Sequence, residues 1–539
     1  MLLTSVFGPY AQDDEFGSRS INPMELYHNQ VTREQGPFSL RMFHRSWGLM
    51  FIQENISAPS VLLDFPTLDR FREELAKHQY DIIGISSILM NIGKVREMCR
   101  LIRQISPHSK IVIGGHVAAL PELEETIDAD HIVRGEGVEW MRAYLGEDTS
   151  APIRHPSIVS GFGQRALGVR AEPGSGSRAA TIIPSVGCPL GCNFCATSQF
   201  FGGKGNFRNF YDSGQELFEV MQTAEQREDV RTFFIMDENF LLHRRRALEL
   251  LELMKKHDKS WSLYVFSSAS AIRKYTMEEI VALGVSWVWM GLESPNSSYA
   301  KLRNVDTREL VAELQKNGVK VLGSTIIGLE HHTPENLPAE VDYAVSHSTD
   351  FHQFMLYTPL PGTPLHQEIK EKGKLLPDID PADIHGQYKF NFRHDFISRD
   401  LSQTLLKRAF ERDFEVNGPS LFRICRTDFL GWRKHGRHSD KRIRERFRRE
   451  SRELRRGYAA MLWAMEKYLQ KTSPQAGENI RALRGEIQRE FGLLTRLFAN
   501  LVGPVLLWTS RREARRLAQR KSIEPQTFVE RRNWATDEM

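Results

Sequence analysis

Short apolar runs separated by amphipathic stretches recur along the first four hundred residues. Leu2–Val6, Ser60–Phe65, Asp81–Ser86, Lys110–Ile113 and His131–Val133 predict buried strands, and 3.6-residue patterns around 66–78, 92–106 and 119–126 predict helices between them. This alternation builds a parallel, doubly wound, Rossmann-like α/β sheet. The ligand crevice of such a sheet lies beyond the carboxyl ends of its strands, where Ser86, Ser87, Gly114, Gly115 and Gly135 fall. Residues 19–59 break the alternation and read as an insertion with a helix from Phe38 to Asn55.

Residues 148–178, rich in Gly, Pro and Ser and without sustained periodicity, read as a linker. The alternation then restarts. Strands are predicted near 180–186, 231–236, 262–268, 285–290, 320–327 and 351–357, and helices near 213–227, 243–257, 276–283, 307–317 and 334–346. Six βα units predict a partial (β/α)6 barrel with its chemistry at the carboxyl ends of the strands. Beyond Leu401 the strand signal stops, and RRGYAAMLWAMEKYL places Tyr458, Leu462, Met465 and Leu469 on one helical face. The expected organisation is an α/β domain over 1–147, a linker over 148–178, a barrel over 179–395 and a basic α-helical domain over 396–539.

Composition changes this picture in one respect. With 41% hydrophobic and 26% charged residues, the 539-residue chain is an ordinary globular protein, which excludes disordered and collagen-like classes. The net charge of +4 is unevenly placed: residues 431–539 hold 26 Lys and Arg against 13 Asp and Glu, which leaves residues 1–430 at −9. A basic terminus suits an anionic partner, whether nucleic acid, acidic membrane or phosphorylated substrate, and suits equally a solvated Arg-rich helical domain. The longest unbroken apolar run, Leu501–Trp508, contains Pro504 and falls well short of the roughly 20 residues of a spanning helix. MLLTSVFGPYAQDDEFG has no basic region or cleavage-type site, so a cytoplasmic location is expected.

Five cysteines are present, and three of them, Cys188, Cys192 and Cys195, lie within eight residues in AATIIPSVGCPLGCNFCATSQFFGGKG, directly after a predicted strand. Soft thiolates this close suit an iron–sulfur cluster in which one iron lacks a protein ligand. A structural zinc site is the competing reading; it needs a fourth ligand, and no His lies near the loop. Cys99 and Cys425 are remote in sequence and read as structural thiols.

The spacing Cys188-x-x-x-Cys192-x-x-Cys195, with Phe194 before the last Cys, resembles the signature of radical S-adenosylmethionine (radical SAM) enzymes. The resemblance implies a 4Fe-4S cluster on these three Cys, SAM chelated to the open iron, and reductive cleavage of SAM to a 5′-deoxyadenosyl radical. It extends over about residues 180–370. MDENF offers Asp237 and Glu238 to the SAM amino group, although paired carboxylates at a strand end also serve as a solvated loop or helix cap. MGLES offers Glu293 and Ser294 to the SAM ribose or amino acid moiety, and in GSTIIGLEHHTPEN Gly328 allows close backbone approach near adenine. Glu330-His331 replaces the family's common Pro-Gly pair, which leaves Glu330, His331 and His332 open to substrate roles. Tyr357 and Thr358 in LYTPLPGTPL face substrate or form a structural turn.

The first 147 residues resemble the cobalamin-binding domain found upstream of many radical SAM enzymes, through DIIGISSIL, KIVIGGHVAALPE and HIVRGEGVEW. The resemblance implies that Ser86, Ser87, Gly114, Gly115, Gly135 and Glu136 line the pocket for the cobalamin tail; a scaffold role alone is the alternative. The Asp-x-His-x-x-Gly motif that supplies an axial His to cobalt is absent, as is any Gly-x-Gly-x-x-Gly after a strand. The expected activity is methylation of an unactivated carbon in a hydrophobic, lipid- or isoprenoid-like substrate or a natural product. A radical SAM reaction without methyl transfer and a non-catalytic metal-binding adaptor are the alternatives. A flavodoxin- or ferredoxin-type reductant is the implied protein partner. The Arg run RKHGRHSDKRIRERFRRESRELRR and the apolar FGLLTRLFANLVGPVLLW suit either a peripheral anionic membrane contact or packing on the barrel, and no RNA-binding motif accompanies them.

Overall fold

The computed structural model describes residues 1–10, 14–16, 27–170, 178–293, 305–519, 521 and 523–533. In the first part, β1 (Leu2–Ser5), β2 (Ser60–Asp64), β3 (Ile82–Ser86), β4 (Lys110–Gly114) and β5 (His131–Ile132) form a parallel sheet in the order β2-β1-β3-β4-β5. The order reverses direction beside β1, and a cleft opens at the carboxyl ends of the strands there. Helices Leu68–Lys77 and Ile92–Ile105 bury Phe71, Leu75, Val95, Met98 and Ile102 against the sheet, with Cys99 in the same core.

Six parallel strands form the open barrel: β6 (Ala179–Ile182), β7 (Thr232–Ile235), β8 (Ser262–Phe266), β9 (Val285–Gly291), β10 (Lys320–Ile327) and β11 (Phe351–Leu356), in sequence order. Their period-two alternation is divided between two apolar environments. Phe233, Ile235, Leu263, Val265, Val288 and Met290 pack under the outer helices. The alternate residues Phe234, Tyr264, Phe266, Trp287 and Trp289 form a continuous aromatic wall on the opposite face, with neighbouring ring centroids 4.7 to 6.2 Å apart.

Three expectations change. The helix expected over Phe38–Asn55 covers only Trp47–Glu54, and Arg41–Phe43 is instead a strand. That strand pairs with Phe162–Ala166, so the segment expected as a plain linker carries strands, and Val159–Ser160 extends the barrel sheet antiparallel to β6. Backbone groups enclosed between two domains must find partners, and ladder pairing provides them. Third, the terminal region is helical as expected, through Arg399–Asn417, Ser420–His435, Lys441–Glu450, Gly457–Leu469, Pro474–Phe491 and Leu493–Ala518, but it ends in a strand, β12 (Phe528–Arg532). This strand pairs antiparallel with β2 and covers the edge of the first sheet. Arg45 joins Asp64 and Glu530 at 2.7 and 3.0 Å, and Arg532 reaches Glu54, so the insertion and the terminal strand are tied to the first domain.

The Arg run is not a free cationic surface. Arg446 donates to the Val281 carbonyl at 2.9 Å, Arg442 to Lys259 at 3.1 Å and Arg449 to Ser260 at 2.6 Å. These carbonyls lie just before β8 and β9, at the amino-terminal face of the barrel, where contacts serve stability.

Candidate functional site

The strand carrying the cysteine loop is followed by Ser185–Val186, which pairs with Arg208–Asn209 and closes the loop as a unit. Gly191 has φ +61°, and a Cβ there would lie 2.4 Å from the Lys204 Cα, so only glycine fits. The loop's backbone turns back on itself through Gly191 N–H to Cys188 O and Cys195 N–H to Cys192 O, at 3.3 and 3.0 Å. The Ser198 hydroxyl donates to the Cys188 carbonyl at 2.6 Å. Cys195 caps the helix Ala196–Phe200, its sulfur accepting from Ser198 N–H at 3.5 Å. No cysteine among the described residues is in a disulfide. Burial, and after it the nearby Cys195 and Cys192, push the Cys188 thiol up to about 11, against hydrogen bonds from Leu190 and Asn239. Thiols so arranged gain most from a cation, since coordination deprotonates them. Three convergent thiols without a nearby His fit a cluster with one open iron better than a closed zinc tetrahedron.

The two carboxylates after β7 have separate roles. Asp237, 1% exposed, accepts from Ser185 Oγ at 2.8 Å and from Asn239 N–H at 3.0 Å, and it is ion-paired with the buried Arg246. Its oxygens hold the loop together. The adjacent Glu238 turns into a cavity. Burial pushes its carboxyl up to about 7, only partly offset by the Gly187 N–H, and Oε2 has no hydrogen-bond partner among the described residues.

That cavity has a volume of about 560 Å³ and a mainly apolar lining. Ser86, Ser87, Gly114, Gly115 and Glu136 all line it. Gly115 has φ +79°, and a Cβ would meet the Ser87 carbonyl at 2.5 Å, whereas a Cβ on Gly114 would meet nothing within 4 Å. Glu136 is partly committed, capping the helix Gly137–Leu145 through Val138 and Glu139 N–H. The opposite wall is the barrel's: Thr197, Phe200 and Phe201 follow the last cysteine, and Phe200 stacks on His116 with centroids 5.0 Å apart. The insertion closes a third side with His44 and Trp47. Asn91 Nδ2 and His116 Nε2 are buried there without hydrogen-bond partners among the described residues. Glycine-floored depth and orphaned polar atoms fit a long cofactor tail with amide and phosphate groups.

The remaining candidates lie elsewhere. Phe194 packs on the cluster around Ile327 and Tyr357, beside the backbone bond from Leu365 N–H to Asn193 O at 3.1 Å. Glu293, buried with φ +40°, accepts from Ile326 N–H at 3.4 Å. Ser294 lies outside the described residues. Gly328 has φ +78°, and the Phe390 ring lies 2.2 Å from where a Cβ would sit. Glu330 is exposed and paired with Lys372 at 3.6 Å, outside the cavity lining. His332 Nδ1 accepts from Gly328 and Leu329 N–H, which puts the proton on Nε2. The His331, His332 and Glu340 cluster is therefore poorly suited to a metal. Tyr357 and Thr358 are buried, the Thr358 hydroxyl donating to the Leu356 carbonyl at 2.9 Å, as a structural turn requires.

Sequence reasoning missed the aromatic wall, His44, Trp47, His116, Phe200 and Phe201. The phenylalanine pair beside the cysteines and the His after Gly115 were visible, but nothing in one sequence shows that they meet.

Residues 182–344 match the radical SAM superfamily, and residues 54–145 match the B12 binding domain. The chain is 24% identical to the bacteriochlorophyllide d C-8(2)-methyltransferase of Chlorobaculum tepidum over 350 residues, 61% of this chain and 75% of that protein. It is 22% identical to the anaerobic magnesium-protoporphyrin IX monomethyl ester cyclase of Rubrivivax gelatinosus over 400 residues, 64% of this chain and 70% of that one. The fold matches the radical SAM methyltransferase TsrM of Kitasatospora setae, solved with cobalamin and a [4Fe-4S] cluster, with a TM-score of 0.51 and 16% identity over 83% of this chain and 99% of that one. Motif, fold and these matches together establish that this chain carries a radical SAM domain preceded by a B12-binding domain.

Proposed function

We propose that the protein is a cobalamin-dependent radical SAM C-methyltransferase acting on an unactivated carbon of a hydrophobic, ring-bearing small molecule. One observation carries the reading: the helix capped by Cys195 is also a wall of the glycine-floored cavity, so the cluster loop and the cobalamin pocket share one element. Cys188, Cys192 and Cys195 would hold the 4Fe-4S cluster, and Ser86, Ser87, Gly114, Gly115 and Glu136 the cobalamin. When bound, the cluster with SAM supplies one-electron chemistry and cobalamin a transferable methyl group.

The chain's own residues position these groups and keep water out. Glu238 presents an open carboxylate oxygen at the seam between the two domains, suited to an ammonium or amide of a bound group, while Asp237 and Arg246 fix the loop that carries it. Glu293 and Phe194 are the SAM-side candidates among the described residues. The aromatic wall of Phe266, Trp287 and Trp289 suits a flat apolar substrate, since stacked rings accept ring faces at little entropic cost. Tyr264 and Phe234 extend the wall toward His44 and Trp47 of the insertion. The relatives include both a methyltransferase and a cyclase, so the second reading is ring closure on a similar substrate.

Anaerobic reconstitution with iron, sulfide and hydroxocobalamin, followed by SAM, a tetrapyrrole methyl ester and reduced flavodoxin, tests the proposal. Methyl transfer yields S-adenosylhomocysteine and 5′-deoxyadenosine together. 5′-Deoxyadenosine without S-adenosylhomocysteine favours ring closure, and neither product refutes both readings.

A further inference from the structure

Leu493–Ala518 is a 26-residue helix, and it is long and apolar enough by length and composition to cross a membrane, which the run-length reading of the sequence did not anticipate. It nevertheless lies along the helical domain, and its packing is inverted. The fully buried positions are small or polar, Thr495, Ala499, Gly503, Ser510 and Glu513, with Gly503 against the Trp463 ring, and Leu506 and Leu507 add half-buried contacts to the helical core. The outward face holds Leu493, Leu494, Leu497, Leu501, Val505 and Trp508, at spacings that keep them on one stripe. Leu494 is 81% exposed, Leu501 77% and Trp508 60%. A surface helix ordinarily turns its large apolar side chains inward. An apolar stripe about 23 Å long, at 1.5 Å per residue, marks a binding face.

Charge selects what covers it. Between Phe491 and Ser510 the one charged residue is Arg496, and exposed Arg489, Arg511, Arg512 and Arg515 flank the stripe. The neighbouring acids are engaged: Glu513 with Arg516 at 2.6 Å, Glu490 with Trp432 at 3.1 Å and Glu486 with Arg433 at 3.5 Å. A second copy packed on this stripe would bring like charges together. Anionic lipid headgroups would meet them favourably. Trp508 at the end of the stripe, beside Arg511 and Arg512, matches the headgroup boundary.

We propose that the Leu493–Trp508 face docks the enzyme in plane on an anionic phospholipid surface, with the Arg residues on headgroups and the stripe among the upper acyl chains. The inference is independent of the methyl-transfer reading. The full-length protein is floated with phosphatidylcholine vesicles with and without phosphatidylglycerol. It should bind the anionic vesicles and be released by salt. A Leu494→Ser, Leu501→Ser, Trp508→Ser variant should lose at least about a hundredfold in partitioning, from three apolar side chains returned to water. Arg511→Glu with Arg512→Glu should lose at least about tenfold. All five positions are exposed, so thermal unfolding and SAM cleavage in solution should stay at the wild-type level. Equal flotation of the serine variant, absence of wild-type binding, or a wild-type dimer that the serine variant dissociates without any vesicle binding would each overturn the proposal.

Discussion

A valine at Gly114 separates a cofactor pocket from a bare scaffold. Gly114 ends β4 and lines the cavity, and a Cβ there meets nothing within 4 Å. The branching carbon would meet no protein atom, and valine suits a strand, so apoprotein stability should stay within about 0.5 kcal/mol. A cobalamin tail lying over this glycine would be overpacked, at a cost of about 1–3 kcal/mol, or roughly 5- to 150-fold in Kd. The adjacent Gly115→Ala is the contrasting case. At φ +79° and ψ −174°, with the Ser87 carbonyl 2.5 Å from its Cβ, it should destabilise the apoprotein itself, the glycine-only backbone conformation alone accounting for about 1–3 kcal/mol. Hydroxocobalamin binding followed by absorbance, beside thermal unfolding without cobalamin, reads both effects. Unchanged affinity in Gly114→Val would refute the placement of the tail, and a destabilised apoprotein would refute the reading of open space.

Other predictions follow from the same geometry. Gly191→Ala, opposed by the Lys204 backbone, should lower iron incorporation on anaerobic reconstitution, whereas Gly485→Ala, in a helix with nothing within 4 Å of its Cβ, should load iron to near the wild-type level. Asp237→Ala should cost about 3–5 kcal/mol by leaving the buried Arg246 without its ion-pair partner, visible as a lower Tm before any SAM is added. For Glu238, burial raises the folded carboxyl from 4.5 to about 7, so its neutral form's contribution to stability is fully present below pH 4.5 and is lost as pH rises through about 7. Denaturant titrations of Glu238→Gln should lack that fall, which amounts to about 3 kcal/mol. Deleting residues 523–539 removes β12 and bares the edge of β2, so the first domain should melt earlier and aggregate, as light scattering on heating would report.

Much of this architecture was legible because its signals are local. The period-two strands of both sheets, the six-unit barrel and the cysteine spacing are set within a few residues of each other, and each segment behaves as its pattern predicts. Segments whose partners are distant were not legible. Arg41–Phe43 becomes a strand because Phe162–Ala166 lies beside it, and Phe528–Arg532 because β2 has an open edge more than 450 residues earlier. The pair Asp237-Glu238 shows the limit at the site: two neighbouring carboxylates take different roles because Arg246, nine residues on, reaches only one of them.

By itself the sequence determined the chemistry available, three thiolates on a turn that requires glycine and small residues at the ends of parallel strands, because ligand identity and backbone conformation are properties of individual positions. The tertiary structure alone decided that the cysteine-capped helix walls the same cavity as Gly114 and Glu238, and that the basic terminal region divides into an Arg run packed on the barrel and a later helix with an outward apolar face. Burial and charge pairing depend on what folds alongside, and those neighbours lie hundreds of residues away.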